Sequence, residues 1–135
     1  MVRYLDALFD RETPDVVIAP WVGDSHGDHV RLARAALSAS RRTRASLYAY
    51  MPGELRSACF TAFSPNAFVD IRAYEEKKVA AMEAYSYEGQ GFRRLDTAAT
   101  VRIARAYGTV AGCTSAEGFI VLRQLGIGLV VGGRN

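Results

Sequence analysis

The sequence predicts an α/β domain, on three observations. A continuously apolar run, Val16-Val17-Ile18-Ala19-Pro20, reads as a strand buried on both faces, as in parallel sheets. An alanine-rich segment of helical period follows it after a short loop. Helix-like and strand-like stretches then alternate through the rest of the chain, the signature of βαβ construction. The 135 residues suffice for one domain with a real core and are too few for two ordinary ones. Half of them are hydrophobic and 23% are charged, which excludes a disordered chain.

Each element has its own warrant. Tyr4, Leu5, Leu8 and Phe9 recur with helical period, so residues 2–11 are expected as a helix. Glu12-Thr13-Pro14-Asp15 supplies turn residues. Residues 16–20 are the apolar strand, and a loop rich in Asp and His follows. From 27 to about 40 the pattern is helical, with Val30, Ala33 and Leu37 on one face and Asp24 or Ser25 available as the cap. Residues 44–50 alternate as a strand. Two prolines and a glycine in 52–66 predict an irregular loop with a strand near 57–62. Residues 67–71 read as a short strand running into a helix over 72–84. Gly89-Gln90-Gly91 breaks the chain. A helix is expected over 93–110, with Ala99, Ile103, Ala106 and Val110 on one face, and a last strand over 116–124. A glycine-rich tail begins at Gly126. No repeat or linker divides the chain. Only three or four short strands are available, and the first asks for neighbours on both sides. The sequence therefore reads as a domain without its beginning.

The charge balance is 17 basic against 14 acidic residues, a net +3. Arg41, Arg42 and Arg44 cluster at one helix end, where cations suit the helix dipole, with Arg31 and Arg34 upstream. No nucleic-acid reading motif or basic-aromatic stripe accompanies them, so nucleic acid is not the expected partner. Cys59 and Cys113 show no metal or redox spacing and read as free thiols of a reducing compartment. No run approaches the ~18 apolar residues of a membrane span. No signal peptide opens the chain, and the expected location is cytoplasmic.

The chemistry concentrates in Asp24-Ser25-His26-Gly27-Asp28-His29, which holds both histidines of the chain. It leaves a buried strand and enters a helix, where α/β proteins place their sites. Imidazole nitrogens and carboxylate oxygens are zinc ligands and acid–base groups. His26 and His29 at i, i+3 share one side of a first helical turn, and Asp24 and Asp28 are placed to orient a ring. The same residues also read as a helix cap with two surface histidines. Trp21 beside the loop is a candidate sugar platform or a hydrophobic plug.

Four segments carry a family resemblance. Residues 14–20 followed by Asp24-x-His26-x-Asp28-His29 resemble the second signature of the PIG-L/LmbE family of zinc-dependent N-deacetylases. Phe68-Val69-Asp70-Ile71 with Lys78-x-x-Ala81, then Ala104-Arg105-x-x-Gly108, then Ala116-Glu117-x-Phe119 are similar to its later motifs, in the family's order. The resemblance covers nearly the whole chain. It implies a Rossmann-like three-layer fold and a zinc hydrolase that removes acetyl from an N-acetylglucosamine-type amide. By it, His29 is a zinc ligand, His26 stabilises the oxyanion and Asp28 supports the site from behind the ligands; Asp24 and Trp21, from their place in and beside the loop, are candidate substrate contacts. The family's first signature, His-Pro-Asp-Asp, supplies two further zinc ligands and the general base, and this chain has no such stretch. The resemblance therefore implies an incomplete N-terminus, weak zinc binding and little or no deacetylase activity of the chain alone. Two alternatives stand beside it. One is a homo-oligomer or a complementing N-terminal chain that completes the site. The other is a non-catalytic module that associates through an exposed sheet edge.

Overall fold

The computed structural model describes residues 1–51, 62–84 and 96–125. The fold is α/β, as the alternation predicts. In chain order the elements are α1 (Val2–Glu12), β1 (Val16–Pro20), α2 (Gly27–Ala39), a 3₁₀ turn (Ser40–Arg42), β2 (Ser46–Tyr50), β3 (Ala67–Asp70), α3 (Glu75–Ala84), α4 (Thr97–Ala111) and β4 (Ala116–Arg123). The strands form one mixed sheet in the order β1-β2-β4-β3. β1 and β2 are parallel and are joined through α2, a βαβ unit. β4 inserts between β2 and β3, antiparallel to both. A β-bulge near Leu122 lets Leu47 pair with Arg123 and Tyr48 with Val121.

The register assigns the two faces. Val17 pairs with Leu47, Ala19 with Ala49, Ala49 with Ile120, and Phe68 with Gly118, so these side chains share one face. Phe9 of α1 and Leu37 of α2 pack there against Val17, Ala45 and Leu47. Tyr107 of α4 meets Phe68 on the same face, ring centroids 5.8 Å apart. The opposite face carries Val16, Ile18, Tyr48, Tyr50, Val69, Phe119 and Val121. Here Tyr48 meets Phe119 edge-on at 6.4 Å, while Val16 and Ile18 are 52% and 54% exposed. The apolar run predicts a β1 buried on both faces, and among the described residues it is covered on one. It is also an edge strand, which the apolar run alone does not reveal.

Most element boundaries fall within one to four residues of expectation. The second strand starts at Ser46 rather than 44, because residues 40–42 tighten into the 3₁₀ turn. The third helix starts at Glu75 rather than 72, after Asp70 has accepted a hydrogen bond from the Arg72 N–H. The fourth starts at Thr97, where Asp96 caps it by accepting from the Ala99 N–H at 2.8 Å. The strand expected near 57–62 and the Gly89–Gly91 break lie wholly or mostly outside the described residues, as do Cys59 and the tail from Gly126.

Candidate functional site

The site is built where β1 runs out. Pro20 ends the strand, and the Trp21 N–H still reaches the Tyr50 carbonyl at 2.9 Å. The chain then turns, with the Asp24 N–H toward the Trp21 carbonyl at 3.4 Å. Gly23 is required in this turn, because a Cβ there would lie 2.4 Å from the Trp21 ring. Trp21 is 7% exposed and packs edge-on against Phe63, centroids 5.6 Å apart. It is a plug under the loop, and its ring does not offer the open platform expected for a sugar.

Asp24 organises the loop. Its carboxylate is 3% exposed. Oδ1 accepts from the His26 N–H at 3.0 Å, an Asx turn. Oδ2 lies 2.6 Å from His29 Nδ1. Burial pushes the Asp24 carboxyl up, but the His29 hydrogen bond and the His26 amide together outweigh it. The group is held below its ordinary value and stays ionised. An ionised carboxylate only accepts, so His29 Nδ1 carries a proton, and in the neutral ring Nε2 presents the lone pair.

His26, rather than Asp24 or Ser25, is the N-cap of α2. Its Nδ1 accepts from the Asp28 N–H at 3.3 Å. A ring nitrogen that accepts from an amide is unprotonated, so the neutral ring carries its proton on Nε2. The two rings stack with centroids 4.4 Å apart at 29°. One exposed turn thus presents a lone pair on His29 Nε2 and a donor on His26 Nε2, in complementary tautomers fixed by local hydrogen bonds.

Asp28 is placed elsewhere. Its carboxylate is 77% exposed and receives Arg31 Nη1 at 3.0 Å. The carboxylate that orients His29 is Asp24, five residues back, and spacing alone did not single it out. Two further pairs were missed. Lys78 donates to Glu117 at 2.5 Å, and Arg105 donates to Glu75 at 2.8 Å. The first ties α3 to β4 and the second ties α3 to α4. Glu117 lies near the start of β4, which the antiparallel register sets beside the C-terminal end of β2, the same end of the sheet as the histidines. Lys78 is therefore engaged in an ion pair. A signal existed in the resemblance motifs, which contain Lys78, Arg105 and Glu117 but not their pairing.

Among the described residues no three His, Cys, Asp or Glu side chains converge to hold a metal ion. His29 Nε2 offers one imidazole position backed by a carboxylate, the arrangement usual behind a metal-bound histidine.

No family model matches the chain, and no curated protein matches it. Solved structures do. The conserved protein TT1542 from Thermus thermophilus superimposes with a TM-score of 0.69 at 23% identity, over 95% of this chain and 60% of that one. GalB, the 4-carboxy-2-hydroxymuconate hydratase from Pseudomonas putida, superimposes with a TM-score of 0.69 at 18% identity, over 93% and 59%. At these identities the likeness is one of fold. The chain spans about three fifths of the length of either neighbour. No helix among the described residues is long and apolar enough to cross a membrane.

Proposed function

We propose that the Asp24–His26–His29 turn is the imidazole half of a water-activating amide-hydrolase centre of the PIG-L/LmbE type. Its substrate class is an N-acetylglucosamine-type amide, as the resemblance implies. The observation that carries the reading is the Asp24–His29 hydrogen bond at 2.6 Å with His26 stacked beside it. An exposed turn with one imidazole lone pair and one imidazole donor, held side by side, serves amide hydrolysis. Lys78, Arg105 and Glu117, which carry other parts of the resemblance, are all engaged in ion pairs. That engagement supports the reading.

The chemistry of this chain's own residues follows from their tautomers. Asp24 fixes the His29 ring and stabilises positive charge that builds on it when Nε2 takes a proton or meets a cation. His26 Nε2–H donates toward a carbonyl oxygen and strengthens that bond as the oxygen gains charge on attack by water. The Asp28 carboxylate pairs with Arg31 and is left to the surface of α2, while the Asp28 N–H donates to His26 Nδ1. Zinc, in the family the chain resembles, polarises the carbonyl and lowers the pKa of the attacking water. The described residues fit one position of such a site and do not complete it, so no step is routed through the metal. Completion requires groups beyond the described residues, from this polypeptide, a longer one or a second chain.

The test is zinc content per chain after native purification, by elemental mass spectrometry, for the chain and for His29→Ala. Zinc above background that is lost in the variant supports the reading. Zinc retained by His29→Ala overturns the assignment of His29 as ligand. Acetate release from N-acetylglucosamine derivatives with added zinc is expected to be negligible for the chain alone. Clear turnover would contradict the dependence on outside groups.

A further inference from the structure

We propose that the cavity between the entries to β1 and β2 binds a small zwitterion of the α-amino-acid type, its ammonium on Asp15 and its carboxylate on Arg44. The cavity precedes Val16 and the histidines follow Pro20, so the two lie at opposite ends of β1. The inference goes beyond the amide chemistry and is independent of it.

The cavity holds about 350 Å³, a volume that suits a small ligand. Two connections that run side by side form its walls. One is the turn from α1 into β1, residues 13–15, with Phe9 and Asp10 behind it. The other is Arg42-Thr43-Arg44, which leads from the 3₁₀ turn into β2. The Asp15 carbonyl accepts from the Ser46 N–H at 2.8 Å and ties the two together. Phe9, packed against Val17, Ala45 and Leu47, joins Pro14 as the apolar part of the lining.

The backbone aims the charges. Thr13 sits at φ 42° and ψ 58°, and is the one non-glycine residue with positive φ among the described residues. A β-branched side chain is strained in that region, and the following Pro14 adds to the strain. This reversal turns Asp10 and Asp15 to the same cavity. Strained residues of this kind cluster at ligand sites. On the other wall Thr43 is extended, at φ −102° and ψ 159°, so Arg42 and Arg44 project to one side.

The charges then select the ligand. Asp10 holds Arg42 at 3.3 Å. Both α1 and α2 end beside the cavity, and a helix C-terminus is the negative end of its dipole. Arg123 supplies a cation at the end of α2 by donating to the Ser40 and Thr43 carbonyls. At the end of α1, Arg11 turns instead to Glu12 at 2.7 Å. The Thr13 N–H closes on the Phe9 carbonyl, and the carbonyls after it have no partner within the helix. One wall therefore keeps Asp15 and the negative end of α1, and the other keeps Arg44. Neither side chain forms an ion pair among the described residues. A simple anion would meet Asp10 and Asp15, and a simple cation would meet Arg42 and Arg44. A molecule with both charges is matched on both walls. Its carboxylate takes the Arg44 fork, its ammonium donates to Asp15, and an aliphatic side chain lies on Phe9 and Pro14.

The experiment is an NMR titration of the isotope-labelled full chain with L-leucine at physiological salt. Isocaproate, which lacks the ammonium, and isoamylamine, which lacks the carboxylate, are titrated beside it. The expected result is saturable shifts at the Thr13, Asp15, Thr43 and Arg44 amides, with a dissociation constant on the order of 1 mM, because exposed charge pairs are individually weak. Each analogue binds about fivefold more weakly. Arg44→Gln removes the preference for leucine over isoamylamine, and Asp15→Asn removes the preference over isocaproate. Both side chains are exposed, so the circular dichroism spectrum stays unchanged in each variant. His29→Ala binds leucine as the unsubstituted chain does. Absence of saturable shifts overturns the proposal. So do isocaproate or inorganic phosphate binding as tightly as leucine, shifts centred on the His26 and His29 amides, and preferences that survive in both variants.

Discussion

Asp24 holds together more of the site than either histidine does. Its two oxygens bind the His26 amide and the His29 ring, and it does so almost without solvent contact. Asp24→Asn keeps the shape but removes the charge, and is expected to destabilise the fold by about 1–3 kcal/mol at neutral pH. The pH dependence has a definite sign. The folded carboxyl titrates below its ordinary value, so its contribution is fully present above about pH 4 and is lost as pH falls through the depressed value. Urea denaturation at pH 7 and at pH 3 checks this. The native chain is expected to lose more stability between the two than Asp24→Asn, and equal losses would remove Asp24 from the account. The Asp24-x-His26 spacing makes the Asx turn legible in sequence, because it is local. The Asp24–His29 bond was not legible as such. It depends on where the first turn of α2 swings the ring, which follows from His26 taking the capping position.

At the scale of elements, two contacts decide how helices and strands meet. Gly108 of α4 lies against the start of β4, and a Cβ there would sit 2.7 Å from the Ser115 backbone. Alanine gains about 1 kcal/mol of helix propensity over glycine. Overpacking against rigid backbone costs about 1–3 kcal/mol, so Gly108→Ala is expected to lower the thermal midpoint. A rise would show that α4 can draw back from β4 freely. Arg123 closes the other end of the sheet. Its guanidinium donates to the carbonyls of Ser40, Thr43 and Ala45, at 2.9, 3.2 and 2.8 Å. These are carbonyls at and beyond the end of α2, where a cation is favoured. Arg123→Ala is expected to cost about 2–3 kcal/mol. Arg123→Lys should restore only part of it, since an ammonium cannot span three carbonyls as the planar fork does. Full rescue by lysine in thermal denaturation would contradict that geometry. The periodicities located every described helix and strand, but Arg123 stood at a strand end like any solvated residue. Its partners lie about 80 residues earlier, beyond the reach of a local pattern.

At the scale of the molecule, composition and alternation were enough for the α/β class, while the strand order was not readable. β4 is last in sequence yet sits between β2 and β3, a placement set by its antiparallel pairing with both neighbours. The same arrangement decides what the basic cluster can do. Arg31 pairs with Asp28, Arg42 with Asp10 at 3.3 Å, and Arg41 donates to the Ser38 carbonyl and hydroxyl at 3.1 and 3.2 Å. Exposed pairs of this kind are worth only ~0–1 kcal/mol, so pairing alone does not prevent a phosphate from competing. Spacing is the stronger argument. From Arg31 to Arg42 the chain climbs about 17 Å along α2 and its terminal turn at ~1.5 Å per residue, so Arg31 stands apart from Arg41, Arg42 and Arg44 at the helix end. Asp10, Asp15 and Asp28 are interspersed. Two or so phosphates are the most such a surface neutralises at once, which gives a slope of log affinity against log salt near about −2. Fluorescence anisotropy with a labelled duplex is expected to show weak binding at low salt that disappears by physiological salt. A slope steeper than about −5 would mean a concerted cationic surface and would return nucleic acid to the list of partners.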